Sequence, residues 1–171
     1  MKKALVVVDM QKDFISGALG TKEAEAVVDN VAEVIRTFDG EVIFTRDTHT
    51  DKYLETQEGR NLPVSHCIKD SDGWQLDKKL ASLRTEPVKI FDKPTFGYVA
   101  LAEYLKENEE LESVTLIGLC TDICVISNAL LIKAFLPEAE IRVMENCCAG
   151  VTPKSHENAL EAMKMCQIKI V

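Results

Sequence analysis

Cys124 lies in the segment of the chain best suited to nucleophilic chemistry. The segment reads Gly-Leu-Cys-Thr-Asp-Ile-Cys-Val over 118–125, after the apolar run 114–117 and before a run rich in Ala and Leu. This order predicts a strand, a sharp turn and a helix, with Cys124 in the first helical turn. Free amides and the positive end of the helix dipole favour a thiolate there. The alternative is a buried structural cysteine, which is the usual state of a free thiol.

Other chemically useful side chains follow the remaining predicted strands. Asp9 ends the apolar run 4–8, Asp47 and His49 follow the run 41–45, and Lys93 follows the run 88–91. The carboxyl ends of parallel strands meet at one edge of a sheet, so these residues are expected to converge with Cys124. Taken singly, each has an ordinary explanation, such as a turn residue for Asp9, a solvated charge for Lys93 and a loop residue for His49.

Together these groups supply the parts for acyl transfer from an amide. A cysteine nucleophile needs a base for its proton and an acid for the leaving group, and Asp9 is suited to both tasks. Lys93 is suited to stabilise the anionic state. The turn at Cys120, together with the amide of Cys124, can present N–H groups to a developing oxyanion.

Strand and helix patterns alternate along the whole chain. The strands are predicted at 4–8, 41–45, 88–91, 114–117, 141–143 and 168–171. Helices are predicted from Thr21 up to the Asp39-Gly40 break and at 76–83, 99–108, 122–135 and 154–165, while 9–20 is predicted as a loop and 50–72 as an irregular insert. This order predicts a single domain over 1–171, a three-layer α/β/α fold with a doubly wound, mostly parallel six-stranded sheet.

Composition limits the possible partners. The chain has 171 residues, of which 46% are hydrophobic, and a net charge of −8. This charge argues against nucleic acid or an anionic membrane surface as the main partner. The apolar run after Lys3 stops at Asp9, which is too early for a signal peptide or a membrane span. The six cysteines show no disulfide framework, and reduced thiols fit a cytoplasmic protein.

The insert between the second and third strands contains a candidate metal site. Asp47, His49 and His66 offer one carboxylate and two imidazoles, a set that suits a divalent transition metal. A lone Asp-x-His is a weak signal, and both histidines can instead be loop residues with local hydrogen bonds. Two of the three histidines of the chain lie in this polar insert, which favours the metal.

Five blocks, in order, resemble the isochorismatase-like cysteine hydrolases, and most of all their nicotinamidase/pyrazinamidase branch. The blocks are Asp-Met-Gln-Lys-Asp-Phe over 9–14, Thr-Arg-Asp-Thr-His over 45–49, Leu-Pro-Val-Ser-His-Cys over 62–67, Asp-Lys-Pro over 92–94, and 118–125. The resemblance implies a small-molecule amide substrate, a homo-oligomer, and hydrolysis to the carboxylic acid and ammonia through a thioester.

The same resemblance assigns roles to individual residues. It implies a catalytic triad of Asp9, Lys93 and Cys124, an oxyanion hole at the Cys120 and Cys124 amides, and a non-proline cis peptide bond at Leu119-Cys120. It makes Phe14 a contact of the substrate ring. It also implies that Asp47, His49 and His66 bind one divalent metal ion, Zn, Fe or Mn, with a fourth ligand in the insert, for which Glu58 is the first candidate and Glu55 the second.

The sequence departs from nicotinamidases around the substrate. Pro63 stands where an aromatic residue is usual, and the Lys93 loop carries Phe96-Gly97-Tyr98 in place of a small polar residue and an aromatic. Phe96, Tyr98 or Trp74 is then expected to supply the ring wall. The alternatives are another hydrolase of the family, acting on a carbamoyl or ureido amide or on an isochorismate-type substrate, or a non-catalytic binding protein with an inert or redox-sensitive Cys124.

Overall fold

The central sheet has six strands, and all of its pairings are parallel. A computed structural model describes residues 2–83, 88–108 and 110–171. The strand order is β3-β2-β1-β4-β5-β6. This is a doubly wound sheet whose order reverses between β1 and β4, where such sheets hold their ligands. The strands are β1 (Lys2–Val8), β2 (Glu41–Asp47), β3 (Lys89–Lys93), β4 (Leu111–Leu119), β5 (Glu140–Ala149) and β6 (Lys169–Ile170).

Helices cover both faces of the sheet. They are α1 (Lys12–Ile15), α2 (Lys22–Thr37), α3 (Gln57–Asn61), α4 (Lys78–Ala81), α5 (Val99–Lys106), α6 (Ile126–Phe135) and α7 (Pro153–Met165), with a 3₁₀ turn at Tyr53–Glu55 and a π-helical turn at Thr121–Val125. Threonine side chains cap the starts of α2 and α7, since the Thr21 hydroxyl accepts from the Ala24 amide and the Thr152 hydroxyl from the Ser155 amide. In the described part of the chain, no helix has the length and apolarity needed to cross a membrane.

The strands are apolar on both faces because each face is covered by helices. Along β1, Ala4, Val6 and Val8 pack with α5, α6 and α7, whereas Leu5 and Val7 pack with α2 and α4. The five side chains are fully buried. A continuous apolar run is the pattern of a parallel strand with two covered faces, and the predicted α/β fold is confirmed.

The structure corrects several predicted boundaries. The segment predicted as a loop after Asp9 contains α1, because the amides of Lys12 and Asp13 find partners in the carbonyls of Gln75 and Gly73 and one helical turn can form. The insert predicted as irregular contains the 3₁₀ turn and α3. Strands β4 and β5 are longer than predicted, since their polar residues pair in the sheet ladder regardless of the apolar pattern.

Candidate active site

Asp9 lies directly after β1 in a conformation that is unusual for a residue other than glycine. Its φ angle is 47°, and its side chain is fully buried. The Thr45 hydroxyl donates to Asp9 Oδ1 at 2.6 Å, and the oxygen of this hydroxyl accepts from the Asp9 amide at 3.2 Å. Burial raises the pKa of Asp9; Lys93 opposes this rise and Asp47 adds to it. The carboxyl group is therefore prepared to hold a proton at a higher pH than an exposed aspartate.

Lys93 is the last residue of β3, and its fully buried ammonium connects the other groups. Its Nζ lies 2.7 Å from Asp9 Oδ2 and 3.4 Å from Asp47 Oδ1. It also donates to Cys124 Sγ at 3.3 Å and to the Thr95 carbonyl at 3.2 Å. Burial lowers the pKa of Lys93, but the anionic neighbours, Asp9 first, outweigh burial and raise it. Lys93 thus stays charged at neutral pH.

Cys124 lies in the π-helical turn and is 4% exposed. Burial raises the pKa of its thiol well above the ordinary value; Asp9 adds to this rise and Lys93 opposes it. Burial therefore opposes the thiolate that the position at the start of a helix was expected to favour, because loss of water disfavours the charged form. The resting thiol is neutral and needs an acceptor for its proton, and Asp9 is a nearby candidate.

The turn before Cys124 has the predicted cis peptide bond between Leu119 and Cys120. Gly118 has a φ angle of 116°, and a Cβ atom there would lie 2.1 Å from the Val8 carbonyl oxygen, so only glycine fits this close approach of β4 to β1. The Cys120 carbonyl accepts from the amides of Ile123 and Val125, both at 3.1 Å. Burial raises the pKa of the Cys120 thiol to about 12, so this second thiol is also neutral.

Four side chains of the β2 end and the insert form a candidate metal site. The possible ligand atoms of Asp47, His49, Glu58 and His66 all lie within 4.8 Å of one another. Asp47 Oδ2 is 2.9 Å from His49 Nε2 and 3.6 Å from His66 Nε2. Glu58 Oε1 is 3.6 Å from His49 Nε2 and 3.9 Å from His66 Nε2. Of the two glutamates that the sequence left open, Glu58 lies in the cluster and Glu55 is exposed.

The chemistry of these four groups fits a divalent transition metal. His49 Nε2 is buried and has no hydrogen-bond partner of good geometry within the described residues, as expected of a ligand nitrogen. His66 Nδ1 contacts the Val64 carbonyl oxygen at 2.8 Å, which leaves its Nε2 facing the cluster. Burial raises the pKa of Asp47, but the neighbouring His49 and His66 side chains and the Lys93 charge outweigh it and hold this pKa well below its usual range. Nitrogen and carboxylate ligands suit Zn, Fe or Mn.

Gln11 and Asp13 fix this cluster in place, and the sequence did not point to either. The fully buried Gln11 side chain accepts from the Asp47 amide at 2.7 Å and donates to the Asp47 and Trp74 carbonyls, both at 2.9 Å. Asp13 Oδ2 accepts from the Cys67 amide at 2.8 Å, directly after His66. The available signal was the polar run Gln-Lys-Asp over 11–13, between the buried Met10 and Phe14, which predicts satisfied polar groups but not their partners.

Cys124 of the triad and Asp47, Glu58 and His66 of the metal cluster line one cavity of about 540 Å³. Phe14 and Phe96 line it, as expected for ring contacts, but Tyr98 is absent from the described lining. Tyr98 packs instead against Phe91, with ring centroids 6.2 Å apart, because its amide is held by Asn128 at the start of α5. Trp74 is also absent from the described lining, and its indole N–H donates to the Thr48 hydroxyl. Of the aromatic residues considered for the ring wall, Phe14 and Phe96 therefore line the cavity.

The chain belongs to the isochorismatase family. The model of the isochorismatase domain matches residues 3–171. Several relatives and solved structures that match the chain over nearly its full length place it in the nicotinamidase/pyrazinamidase branch.

Three of these proteins illustrate how similar the chain is to members of the family. The nicotinamidase/pyrazinamidase of Mycobacterium tuberculosis is 26% identical over 99% of this chain and 98% of that protein. The pyrazinamidase of Pyrococcus horikoshii, solved in complex with zinc, has a TM-score of 0.80 at 30% identity and covers 100% of this chain and 99% of its own. The N-carbamoylsarcosine amidase of Thermoplasma acidophilum has a TM-score of 0.79 at 28% identity, with coverage of 99% and 95%. The chain is thus an isochorismatase-like hydrolase related to nicotinamidases.

Proposed function

We propose that this protein is a cysteine amidohydrolase that converts nicotinamide, or a close small amide, to the carboxylic acid and ammonia. One observation carries the proposal: Lys93 Nζ lies 2.7 Å from Asp9 Oδ2 and 3.3 Å from Cys124 Sγ, and Cys124 lines a cavity together with Asp47, Glu58 and His66 of the candidate metal site. Membership of the nicotinamidase/pyrazinamidase branch supports it.

In the acylation half of this reaction, Asp9 accepts the Cys124 proton as the sulfur attacks the amide carbon. The raised pKa of the Asp9 carboxyl favours this transfer. The carbonyl oxygen becomes an oxyanion that faces the amides of Cys120 and Cys124. Asp9 then returns the proton to the amide nitrogen, the C–N bond breaks, and ammonia leaves a thioester on Cys124.

In the second half, a water molecule takes the place of ammonia and Asp9 acts as its base. Attack on the thioester carbon forms the C–O bond and breaks the C–S bond, and the thiol of Cys124 regains its proton. Lys93 keeps its positive charge throughout and stabilises whichever partner, Asp9 or Cys124, is anionic. The products are the carboxylic acid and the resting enzyme.

Asp47, His49, Glu58 and His66 are the residues that would hold a divalent metal ion. When bound, such an ion supplies a Lewis-acidic position for the ring nitrogen of the substrate and for water. The protein restricts the position of the substrate ring, because the side chain of Phe14 is packed edge-on against His66, with ring centroids 5.5 Å apart. We assign Phe14 and Phe96 to the two sides of the substrate ring.

Charge in the cavity disfavours the alternative substrates of the family. Among the described residues that line it, Asp47 and Glu58 are acidic and none is Lys or Arg. Lys93 is already engaged by Asp9 and Asp47. A carbamoyl amino acid or an isochorismate-type substrate carries a carboxylate for which the described lining supplies no Lys or Arg, and burial of that charge beside two acidic side chains is costly wherever a bound metal ion does not compensate it. An uncharged heteroaromatic amide has no such penalty.

A comparison of substrates tests the proposal. The purified protein, with its metal content measured, is incubated separately with nicotinamide, N-carbamoylsarcosine and isochorismate, and the products are separated by chromatography. The proposal expects nicotinate as the main product, with kcat/KM for nicotinamide at least about 100-fold above the other two, a ratio typical of a missing partner for a buried charge. Faster turnover of either anion would overturn the assignment.

A further inference from the structure

The cavity extends well beyond the reactive groups. Its volume of about 540 Å³ lies within the range of about 300–1,000 Å³ that suits drug-sized ligands. Nicotinamide is a single six-membered ring with one carboxamide and leaves much of this space unfilled. Apart from the polar Thr21, Gln57 and Asn61, the wall away from the metal cluster is mostly apolar and comes from separate segments of the chain, among them Leu19, Leu62, Phe96, Ile123 and Val151.

Three of these apolar side chains form the mouth of the cavity. Leu62 is 39% exposed, Phe96 43% and Val151 53%, although all three also line the cavity. Leu62 follows α3, Phe96 follows β3 and Val151 precedes α7, so each is held by a different element. Covering such half-exposed apolar side chains with an apolar ligand makes the free energy of binding more favourable.

The backbone around this mouth is held by hydrogen bonds. The Val151 amide donates to the Asp122 carboxylate at 3.1 Å and 3.2 Å. The Leu62 carbonyl accepts from the Tyr53 hydroxyl at 2.9 Å, and the Phe96 carbonyl accepts from Asn128 Nδ2 at 2.9 Å. The apolar wall is therefore preformed, a property that favours ligand binding.

We propose that the Leu62, Phe96 and Val151 mouth is a second subsite, which binds an uncharged apolar substituent on the ring of the amide substrate. This inference rests on the proposed amidohydrolase function and narrows its substrate class to heteroaromatic amides that carry an alkyl or similar group. A fully buried methylene is worth about fourfold in affinity, so a propyl group that is partly covered at this mouth adds about tenfold.

The test uses the metal-loaded protein and nicotinamides that carry a propyl group, or a carboxylate, at each free ring carbon in turn. At least one propyl isomer is expected to exceed nicotinamide about tenfold in kcat/KM and to bind the Cys124→Ala variant about tenfold more tightly by calorimetry. The matching carboxylates are expected to be poorer than nicotinamide in both measurements. If nicotinamide is hydrolysed and every propyl isomer is poorer, the subsite is wrong and the proposed function stands.

Matched variants test whether the preference for a propyl isomer over nicotinamide arises at the mouth of the cavity. Leu62→Gln and Val151→Gln are expected to reduce the ratio of propyl isomer to nicotinamide at least threefold. Leu130→Gln and Val99→Gln change residues with similar exposure, 38% and 49%, that lie outside the described lining, and the ratio is expected to be retained. An equal fall in both pairs would overturn the assignment of the subsite to the mouth. If neither nicotinamide nor any propyl isomer is hydrolysed or bound, the proposed function fails along with the subsite.

Discussion

Asp47 faces Lys93 with one carboxylate oxygen and the candidate metal ligands with the other. Its Oδ1 lies 3.4 Å from Lys93 Nζ, and its Oδ2 lies 2.9 Å from His49 Nε2. Lys93 in turn contacts Asp9 and Cys124. One side chain thus belongs to both clusters, so a variant that probes the metal alone must leave Asp47 unchanged.

Glu58 offers that separation, because its ion pairs in the described part of the chain are with the two histidines and not with Asp9, Lys93 or Cys124. Glu58→Gln is expected to weaken metal binding about 10- to 100-fold, since the charge of one ligand is lost while the shape is kept. The measurement is metal content by elemental analysis after dialysis against a graded series of chelator concentrations. Glu55→Gln, an exposed residue of the same insert, is the matched control and is expected to retain the metal. Equal occupancy in both variants would remove Glu58 from the site.

Thr45 provides a test of Asp9 as the base. Catalysis needs ionised Asp9, and its pKa is raised, so kcat/KM should fall with falling pH at a value above the usual carboxyl range of about 4. The Thr45 hydroxyl stabilises the ionised form. Thr45→Val is therefore expected to raise this pKa further and to move the acid limb upward by about half to one pH unit.

The control for this profile is Thr115→Val, which changes a buried threonine of β4 that makes no hydrogen bond to Asp9 within the described residues. Its acid limb is expected to match that of the unmodified protein. A limb that stays in place in Thr45→Val, or moves to lower pH, would show that the group titrating in the profile is not Asp9.

Gln11 is expected to stabilise the fold through its side-chain hydrogen bonds. Gln11→Leu removes three hydrogen bonds and leaves the Asp47 amide and carbonyl buried without these partners. The expected loss is about 2–5 kcal/mol in the free energy of unfolding, together with weaker metal binding, because an unpaired buried group costs about 1–3 kcal/mol. Urea denaturation of the metal-free proteins measures the first effect, and an unchanged midpoint would contradict the role assigned to Gln11.

The proposed thioester can be trapped. Hydroxylamine attacks thioesters readily, so nicotinamide and hydroxylamine together should give nicotinohydroxamate with the unmodified protein. Cys124→Ala should lower the yield by at least about 10³-fold, because removal of a nucleophile removes the covalent route. Circular dichroism checks that the variant is folded. Hydroxamate formation at an undiminished rate in Cys124→Ala would point to a direct attack without a covalent intermediate.

The fold and the convergence of chemistry at the sheet edge were predictable for a local reason. Asp9, Asp47, Lys93 and Cys124 each end an apolar run or follow it closely, and parallel strands bring their carboxyl ends together whatever the loops do. The ends of the longer strands were less predictable. Glu145 and Asn146 continue β5 although they are polar, because backbone pairing in the sheet does not depend on side-chain polarity.

Contacts between residues far apart in the chain were not predictable from the sequence. Gln11 binds a residue 36 positions away, and Asp13 binds one 54 positions away, through backbone groups that no side-chain pattern reveals. Tyr98 was assigned to the cavity because it follows Lys93 closely, yet its ring lies against Phe91. The pKa of Cys124 depends on burial in three dimensions, which its helix position alone does not give.

The most direct test of the central claim is ammonia release from nicotinamide by the purified protein, with metal content determined on the same sample and Cys124→Ala as the blank. The predicted result is ammonia and nicotinate in equal amounts from the metal-loaded protein and none above background from the variant. No release from a metal-loaded, folded protein, or equal release from Cys124→Ala, would contradict the account.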